Sequence, residues 1–422
     1  MKLKSVKCSL KGQVRIPASK SHTIRALIIA TLADGESTLL NPLTSGDTKS
    51  CCKTCEALGA EIQYFDDRWI VKGTGGKLKK ADGIIDVGNS GTTLYIALSA
   101  AALGKEIIEF TGDYQIQRRP ATPLLNSLQD LGVEVVSVKG NGCAPITVRG
   151  PMRGGKTVIE CPTSQYLSSL LLSCPLAKGD SEINVPLLNE KPYVEITLDW
   201  LTRQGIKFQN ENFKKFEIPG KQSYTSFSRE IPADFSSATF FLVAAAITNS
   251  DVTLRGLDMT DSQGDKAVVG MLRKMGVEIE ISENFVRVCG GELTGAELDL
   301  NSTPDAISAM AVAGCFAKGE TRLVNVPQAR EKETDRIAVM CKELKKLGAD
   351  IEELPAGLVI RESELKGGEV CGYDDHRVVM SMAVAGLRAE NPVVVDSAEA
   401  MSITFPNFVE LLNSLGADCE KL

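Results

Sequence analysis

Helix-like and strand-like stretches alternate along the chain in a pattern that recurs six times. In each copy a run of good helix formers ends at a glycine and continues directly into a strand-like run, as in KMGVEIEI and KLGADIEE. The residue after a helix often needs the left-handed backbone conformation, which glycine adopts at little cost. The pattern therefore predicts six helix ends spaced by 68–73 residues, at Gly59, Gly132, Gly205, Gly276, Gly348 and Gly416.

Two further elements repeat with the same period. After each of the first five glycines, two short runs around a polar turn predict a β-hairpin. Before an apolar helix in each copy lies a loop rich in Ser, Thr, Asn or Asp, the residues that cap helix N-termini. These six loops cover residues 17–21, 87–93, 161–165, 232–237, 301–305 and 372–377.

The repeats predict an α/β protein of two domains, each with three βαβαββ units. We expect residues 13–225 to form the N-terminal domain, and residues 1–12 with 226–422 to form the C-terminal domain. The last copy lacks its hairpin, and the strand-like run at the start of the chain should complete it. Helices that are apolar almost all round, such as SATFFLVAAAI, should be buried in the middle of each domain, with the sheets outside.

Composition narrows the class of protein. The chain has 422 residues, 43% hydrophobic and 24% charged, which is typical of a globular protein. A net charge of −7 disfavours a broad nucleic-acid-binding surface, so an anionic ligand must be bound locally. No stretch approaches the ~20 apolar residues that span a bilayer, and no secretory signal is visible. We expect a cytoplasmic monomer with no nucleic-acid or membrane partner.

The twelve cysteines are expected to be buried thiols, because a long chain without a secretory signal seldom relies on disulfides. Cys51, Cys52 and Cys55 raise the alternative of a zinc site. No second pair of ligands lies at a suitable spacing, and His22 and His376 are the only histidines. A buried helix face is therefore the favoured interpretation.

Cations recur at the repeat loops. Helix N-termini that converge on one cleft attract anions, and basic side chains at the same loops would strengthen this effect. The basic residues are Lys20, Arg25, Arg119, Lys332, Arg336 and Arg377. Carboxylates are mixed among them, which a site built only for anion affinity would exclude, so we expect proton transfer as well. They are Asp305, Glu333, Asp335, Asp374 and Asp375, of which Asp335 and Asp374 could merely orient arginines.

Nine short motifs, taken together and in order, are more specific than any one of them. ASKSHTIRAL, VGNSGTT, RRP, TSQYL, KPY, TPDA, KETDR, YDDHR and TFPNF occur in this order over nearly the whole chain. This series resembles the EPSP synthase family, the enolpyruvyl transferases of the shikimate pathway. KETDR together with DDHR is the most specific part of the likeness.

The resemblance implies a two-domain inside-out α/β barrel that closes over phosphoenolpyruvate and shikimate 3-phosphate in the interdomain cleft. Phosphoenolpyruvate would be protonated at its methylene carbon and attacked by the shikimate 5-hydroxyl, and phosphate would then leave the tetrahedral intermediate. The family needs no metal and no organic cofactor.

The resemblance also implies roles for individual residues. The substrates would be bound by Lys20, Ser21 and Arg25, and phosphoenolpyruvate by Asn89, Gly91, Arg119, Gln165, Arg336 and Arg377. Thr163 and Ser164 would face the shikimate phosphate, while Tyr193 and Gln328 complete the substrate-binding set. The catalytic group would be Asp305, which takes the hydroxyl proton, Lys332, which touches that hydroxyl, Glu333 as proton donor, and Lys20.

Three positions depart from the family pattern. Ile403 stands where a lysine usually precedes the FP of the last motif, which removes a cation from phosphoenolpyruvate. Glu190 replaces a serine before KPY and would repel a phosphate. Tyr95 stands where an arginine is common.

These departures leave alternatives open. A paralogue could transfer enolpyruvyl to another hydroxy acid, or a catalytically silent anion-binding protein could have kept the fold. The sister transferase that acts on UDP-N-acetylglucosamine is disfavoured, because Tyr114 occupies the position of its catalytic cysteine and it lacks KETDR.

Overall fold

The computed structural model describes all 422 residues and divides into two compact units. The continuous unit is Ala18–Ile231, and the two-segment unit combines Met1–Pro17 with Pro232–Leu422. The boundaries expected from the sequence, after residues 12 and 225, differ from these. The strand Lys11–Arg15 pairs with Asp251–Arg255, and the strand Ser228–Glu230 pairs with Glu36–Leu40. Residues 13–15 therefore belong to the two-segment unit, and Ser228–Glu230 belongs to the continuous unit.

Twelve α-helices are present. In chain order they are α1 (Lys20–Leu32), α2 (Gly46–Ala57), α3 (Gly91–Ala101), α4 (Thr122–Asp130), α5 (Ser164–Ser173), α6 (Lys191–Arg203), α7 (Phe235–Ile247), α8 (Ala267–Lys274), α9 (Ile307–Cys315), α10 (Arg336–Lys346), α11 (His376–Gly386) and α12 (Phe408–Ser414).

Twenty-six strands accompany them. They are β1 (Leu3–Val6), β2 (Lys11–Arg15), β3 (Glu36–Leu40), β4 (Glu61–Tyr64), β5 (Arg68–Lys72), β6 (Ile85–Asp86), β7 (Ile108–Thr111), β8 (Glu134–Ser137), β9 (Ile146–Arg149), β10 (Gly155–Cys161), β11 (Ser181–Leu188), β12 (Gln209–Glu211), β13 (Lys215–Ile218), β14 (Ser228–Glu230), β15 (Asp251–Arg255), β16 (Glu278–Ile281), β17 (Phe285–Cys289), β18 (Leu293–Thr294), β19 (Glu297–Asp299), β20 (Ala317–Lys318), β21 (Glu320–Val324), β22 (Asp350–Leu354), β23 (Gly357–Arg361), β24 (Gly368–Val370), β25 (Val393–Val395) and β26 (Asp418–Lys421).

Six four-stranded sheets share one arrangement, and β18 with β20 forms a separate two-stranded sheet. In each four-stranded sheet the first two strands are parallel and the remaining pairs are antiparallel. The strand orders are β14-β3-β5-β4, β6-β7-β9-β8, β10-β11-β13-β12, β2-β15-β17-β16, β19-β21-β23-β22 and β24-β25-β1-β26. In the last of these, β1 lies between β25 and β26, so the prediction that the N-terminal strand completes the final copy is confirmed.

The predicted glycine helix ends are confirmed as well. All six glycines have positive φ angles, between 69° at Gly205 and 109° at Gly59. A side chain would be strained at these positions. A hairpin follows each of the first five, beginning with β4 and β5, which pair antiparallel.

The most apolar helices form the centre of each unit. All thirteen residues of α7 are buried, as predicted for SATFFLVAAAI, and α3, α9 and α11 are buried along their whole length. One hydrophobic cluster fills each unit. Burial on all sides explains why these helices lack a polar face.

Five of the six predicted loops cap a helix with a side chain. The caps are Ser19 on α1, Ser90 on α3, Thr163 on α5, Asp234 on α7 and Asp375 on α11. The exception is the loop 301–305, where a 3₁₀ turn, Pro304–Ala306, precedes α9 and no side chain caps it. Pro304 lacks an N–H group and favours the start of such a turn.

The cysteines are free thiols. Nine are buried and three are half-buried. Cys51, Cys52 and Cys55 lie on the buried side of α2, and burial raises the pKa of the Cys52 thiol. No group of three His, Cys, Asp or Glu side chains is placed to hold a metal ion. No helix has the length and apolarity needed to cross a bilayer, and the cytoplasmic location stays a prediction.

Candidate active site

Lys20 is fixed at the start of α1 in the continuous unit. Ser19 caps this helix by accepting a hydrogen bond from the backbone N–H of His22 at 3.4 Å. The Nζ atom of Lys20 lies 3.1 Å from Oδ2 of Asp47, which belongs to the first turn of α2. Both side chains are largely buried, so the pair holds the ammonium group in one place.

Arg25 lies one turn further along α1 and is buried. Its guanidinium donates to the Ser21 and Tyr193 carbonyls at 3.0 Å each, and to the Thr197 and Ser168 hydroxyls at 2.8 and 3.2 Å. Burial lowers the pKa of Arg25 to about 10, which leaves it charged at neutral pH. These contacts give Arg25 a positioning role for Ser21 and Tyr193. Its predicted contact with substrate stays a prediction.

Gly91 and Arg119 fit closely together at the N-terminus of α3. A Cβ atom added to Gly91 would lie 2.7 Å from Nη1 and 2.8 Å from Cζ of Arg119. Only a residue without a side chain leaves room for the guanidinium at this place. The helix N-terminus and the arginine thus present positive charge together.

We expect Gly91→Ala to displace the Arg119 guanidinium from the N-terminus of α3. Arg119 ends in a flexible side chain, so the fold should tolerate the change, but the anion would lose a charge-assisted contact of about 1.5–3 kcal/mol. The family resemblance implies that Arg119 binds phosphoenolpyruvate, and on that expectation the Michaelis constant for this substrate should rise roughly tenfold or more. Steady-state kinetics tests this, with Gly270→Ala as the control, because a Cβ there meets no atom within 4 Å. Equal constants for the two variants would contradict the assignment.

Two amide side chains, those of Asn89 and Gln165, lie near the N-terminus of α3. Asn89 donates through Nδ2 to Asp113 at 2.7 Å and to Gln115 at 2.5 Å, and Gln165 donates to the Thr92 hydroxyl at 3.2 Å. The Oδ1 atom of Asn89 and the Oε1 atom of Gln165 are buried without a hydrogen-bond partner. Buried acceptors without donors cost free energy, so these amides are candidates for ligand contact.

Tyr95 supports the loop that carries Arg119. The hydroxyls of Tyr95 and Tyr166 both donate to the Pro120 carbonyl, at 3.2 and 2.5 Å. The two rings meet edge to face, with centroids 5.0 Å apart. Where the family often has an arginine, this chain therefore has an aromatic pair that holds the residue next to Arg119.

Thr163 and Ser164 stand at the N-terminus of α5, as predicted, and both contact a carboxylate. The Oε2 atom of Glu190 accepts hydrogen bonds from the Ser164 N–H at 3.1 Å, the Ser164 hydroxyl at 2.8 Å and the Thr163 hydroxyl at 3.3 Å. Glu190 is buried. An anion of the protein itself thus occupies these donors.

Arg336 is the centre of a second cluster, in the two-segment unit. Its side chain is 1% exposed and reaches three carboxylates. Asp305 lies at 2.8 Å, Glu333 at 2.5 Å and Asp375 at 2.9 Å from its nitrogens. Burial alone would lower the pKa of Arg336, but the charges of Asp375, Glu333 and Asp305 raise it above its ordinary value.

Arg377 joins this cluster through Asp305. Its Nη2 atom lies 2.9 Å from Oδ2 of Asp305, whose other oxygen contacts Arg336. The carboxylate is thus held between two arginines. It remains partly exposed, at 17%, which leaves it accessible to a small molecule.

The sequence places Asp375 among the carboxylates mixed with the cations but assigns it no role of its own. This carboxylate is fully buried, pairs with Arg336 and caps α11 through the N–H groups of Arg377 and Val378. The capping pattern of the loop 372–377 was a signal for it. Asp335, in contrast, caps α10 and pairs with Arg330 at 2.6 Å, so it orients an arginine outside the cluster.

The loop before α11 has an unusual backbone. Tyr373 and Asp374 both adopt left-handed conformations, with φ angles of 55° and 53°. Glu343 of α10 stabilises them by accepting from the Tyr373 hydroxyl at 2.6 Å and the Cys371 N–H at 2.9 Å. Burial alone would raise the pKa of Glu343. Hydrogen bonds from Lys346, Tyr373 and Cys371 outweigh this effect and hold the pKa below its ordinary value. This support fixes the position from which Asp375 and Arg377 project.

The remaining predicted residues lie on neighbouring turns of the same unit. Gln328 donates to the Asn301 carbonyl at 3.0 Å, and its Oε1 atom is buried without a hydrogen-bond partner. Lys332 ends the 3₁₀ helix Pro327–Glu331 and is half-buried. Ile403 ends another 3₁₀ helix, Ala398–Ile403, and is half-buried with no charge to offer.

His376 adds a pH-sensitive group to this cluster. Both ring nitrogens are buried without hydrogen-bond partners, and burial lowers the pKa of His376 to about 3. In the unfolded chain its pKa is about 6.5. Between these two values the unfolded chain binds a proton that the folded chain does not, so stability falls as the pH falls.

We expect the free energy of unfolding to drop by about 1–2 kcal/mol between pH 6.5 and pH 5.0 because of His376. Most carboxylates remain ionised in this window. Denaturant unfolding at the two pH values measures the change. His376→Asn should show a smaller drop, and an equal drop in both proteins would contradict the assignment.

Cations and carboxylates on helix starts of a mixed α/β fold define an enzyme class that binds small anions and moves protons. A family model for EPSP synthase (3-phosphoshikimate 1-carboxyvinyltransferase) matches residues 6–412. The 3-phosphoshikimate 1-carboxyvinyltransferase of Acetivibrio thermocellus is 54% identical over 418 residues, 99% of each chain, and that of Ruminiclostridium cellulolyticum is 52% identical over the full length of both. A solved EPSP synthase from Acinetobacter baumannii matches over 100% of both chains, with a TM-score of 0.83 and 25% identity. The chain belongs to the EPSP synthase family.

Proposed function

We propose that the clusters of both units act on one pair of substrates, phosphoenolpyruvate and shikimate 3-phosphate. The chain is a 3-phosphoshikimate 1-carboxyvinyltransferase: it transfers the enolpyruvyl group to the 5-hydroxyl and releases phosphate. The observation that carries the residue assignment is Asp305, held between Arg336 and Arg377 and still open to a small molecule. This pairing favours an ionised carboxylate, which can accept a proton, beside cations that attract an anion.

The continuous unit would supply most of the binding groups. Lys20, Ser21 and Arg25 would contact the substrates at the start of α1, and Thr163, Ser164 and Tyr193 would receive the acceptor. Arg119, with the backbone N–H groups that Gly91 leaves accessible, would bind phosphoenolpyruvate, helped by Asn89 and Gln165. The burial of Lys20 against Asp47 and of Arg25 supports these roles, because a fixed cation loses little conformational entropy on binding.

The two-segment unit would supply the proton steps. Asp305 would take the proton of the attacking hydroxyl, and Lys332 would touch that hydroxyl. Glu333 is proposed to protonate the methylene carbon of phosphoenolpyruvate. Because Arg336 pairs with Glu333 in its ionised form, Glu333 must first take up a proton. When phosphate departs, one proton of the methyl group returns to the Glu333 carboxylate, which restores the double bond.

The proposed architecture is the two-domain inside-out α/β barrel of six βαβαββ repeats, with the substrates in a cleft between the domains. The six sheets with one strand order and the buried central helices support the repeats. The monomeric state and the lack of a nucleic-acid partner stay predictions.

Phosphate release from the purified protein tests this function. Release should require both substrates, and mass spectrometry should find the enolpyruvyl ether. No release with both substrates present would overturn the proposal.

Two variants test whether both units serve one reaction. Lys20→Met in one unit and Arg377→Met in the other should each lower kcat/KM by roughly a hundredfold or more, as expected when a charged contact to the reacting groups is lost. Lys53→Met is a control for the first, since Lys53 is exposed on α2. If only one of the two substitutions lowers the rate, the clusters do not share a reaction.

A further inference from the structure

Glu190 has an unusual position between two helices. It is the residue before α6, with a left-handed φ of 58°, which strains a residue that has a side chain. Its side chain does not cap its own helix. Instead it reaches the N-terminus of α5 and is only 2% exposed.

A single oxygen of Glu190 collects three donors there. The Ser164 N–H, the Ser164 hydroxyl and the Thr163 hydroxyl all donate to Oε2 within 3.3 Å. Such a set, a helix N-terminus with two hydroxyls, is a typical anion site, and the carboxylate is the anion that fills it. The Glu190 carboxylate thereby binds at the N-terminus of α5 as an anionic ligand would.

We propose that Glu190 is a specificity-determining residue that occupies the phosphate position of the acceptor subsite. A phosphorylated acceptor binds only after the Glu190 carboxylate has left Thr163 and Ser164. This inference rests on the proposed function, which assigns these two residues to the acceptor phosphate. It deepens that function by naming an internal competitor of the substrate.

Two anions cannot share these donors. Each hydroxyl has one hydrogen, and the single Ser164 N–H is already directed at Oε2. A phosphate next to the carboxylate would also meet like-charge repulsion in a mostly buried place. The acceptor must therefore displace Glu190, and part of its binding free energy is used for that displacement.

A purely structural role makes a different prediction. If Glu190 only caps α5, its removal would lower the stability of the protein and leave acceptor affinity unchanged or weaker. If Glu190 is a competitor, its removal strengthens binding of phosphorylated ligands in particular. Affinity for the phosphorylated acceptor therefore separates the two roles.

The test compares Glu190→Gln and Glu190→Ser with the wild-type chain by isothermal titration calorimetry. The probes are shikimate 3-phosphate, shikimate and inorganic phosphate. Glu195→Gln is the matched control, because it removes the same charge from an exposed position of the same helix. Thermal unfolding of each variant shows that it is folded, and Glu190→Gln keeps the shape of the side chain if Glu190→Ser does not fold.

We expect the dissociation constants of shikimate 3-phosphate and phosphate to fall roughly tenfold or more in both Glu190 variants, with shikimate changed less than about twofold. Glu195→Gln should behave as the wild type. Unchanged or weaker binding of shikimate 3-phosphate by a folded Glu190 variant would overturn the inference. Because this readout is binding, it remains decisive even if the wild type releases no phosphate, a result that would overturn the proposed function alone.

Discussion

Arg336→Met should reduce phosphate release to less than about a thousandth of the wild-type rate and lower the free energy of unfolding by about 3–5 kcal/mol. The buried guanidinium contacts Asp305, Glu333 and Asp375, and its removal leaves three carboxylates close together without their common partner. Unpaired buried charges are costly, and their mutual repulsion adds to this cost. Chemical denaturation and a phosphate-release assay measure the two effects.

Arg322→Met is the control for this substitution. Arg322 also pairs with two carboxylates, Glu297 and Glu320 at 3.4 Å, but its side chain is 42% exposed on β21. Exposed pairs contribute only about 0–1 kcal/mol, so stability and activity should change little. Arg336→Lys retains the charge and should fold, yet one ammonium group cannot reach three carboxylates with the geometry of a guanidinium. Near-normal activity of Arg336→Lys would contradict the central role of Arg336.

Local chemistry made most of the fold predictable. Glycine at helix ends, capping residues at helix starts and apolar helices all act over a few residues, and the structure confirms them at Gly59, Ser90 and α7, among others. The partners of β2 and β14 depend on contacts between residues about two hundred positions apart. No local pattern specifies such pairing, so the boundaries expected from the sequence lie five and six residues before those of the structure.

The candidate site, like the fold, could be predicted from the sequence only in part. The cations at the repeat loops could be found from the sequence, because charge and position in the repeat are visible there. The pairing of these cations could not, since Asp47 contacts Lys20 from another helix and Asp375 contacts Arg336 from a position 39 residues away in the chain. The sequence indicates that Glu190 would repel a phosphate, but only the structure shows that its carboxylate accepts the hydrogen bonds of Thr163 and Ser164.

Asp305→Asn should lower kcat for phosphate release by about 10²–10⁴-fold while substrate binding is retained. The amide keeps the size of the side chain and can still accept one hydrogen bond from Arg336 or Arg377, so the cluster should stay assembled. It cannot take the hydroxyl proton as a carboxylate does. With one negative charge removed beside two arginines, the dissociation constant for phosphoenolpyruvate should stay the same or fall.

Asp299→Asn is the matched control for this variant. Asp299 is an exposed carboxylate at the end of β19, where it accepts from the Asn301 N–H at 2.9 Å and from Asn325 at 2.8 Å. The Asp299→Asn variant should retain nearly full activity, because the partners of Asp299 lie outside the cluster around Arg336. Pre-steady-state phosphate release and calorimetry with each substrate separate the chemical step from binding. If Asp305→Asn keeps kcat within a few-fold of the wild type, another group accepts the proton, and the cluster around Arg336 serves binding alone.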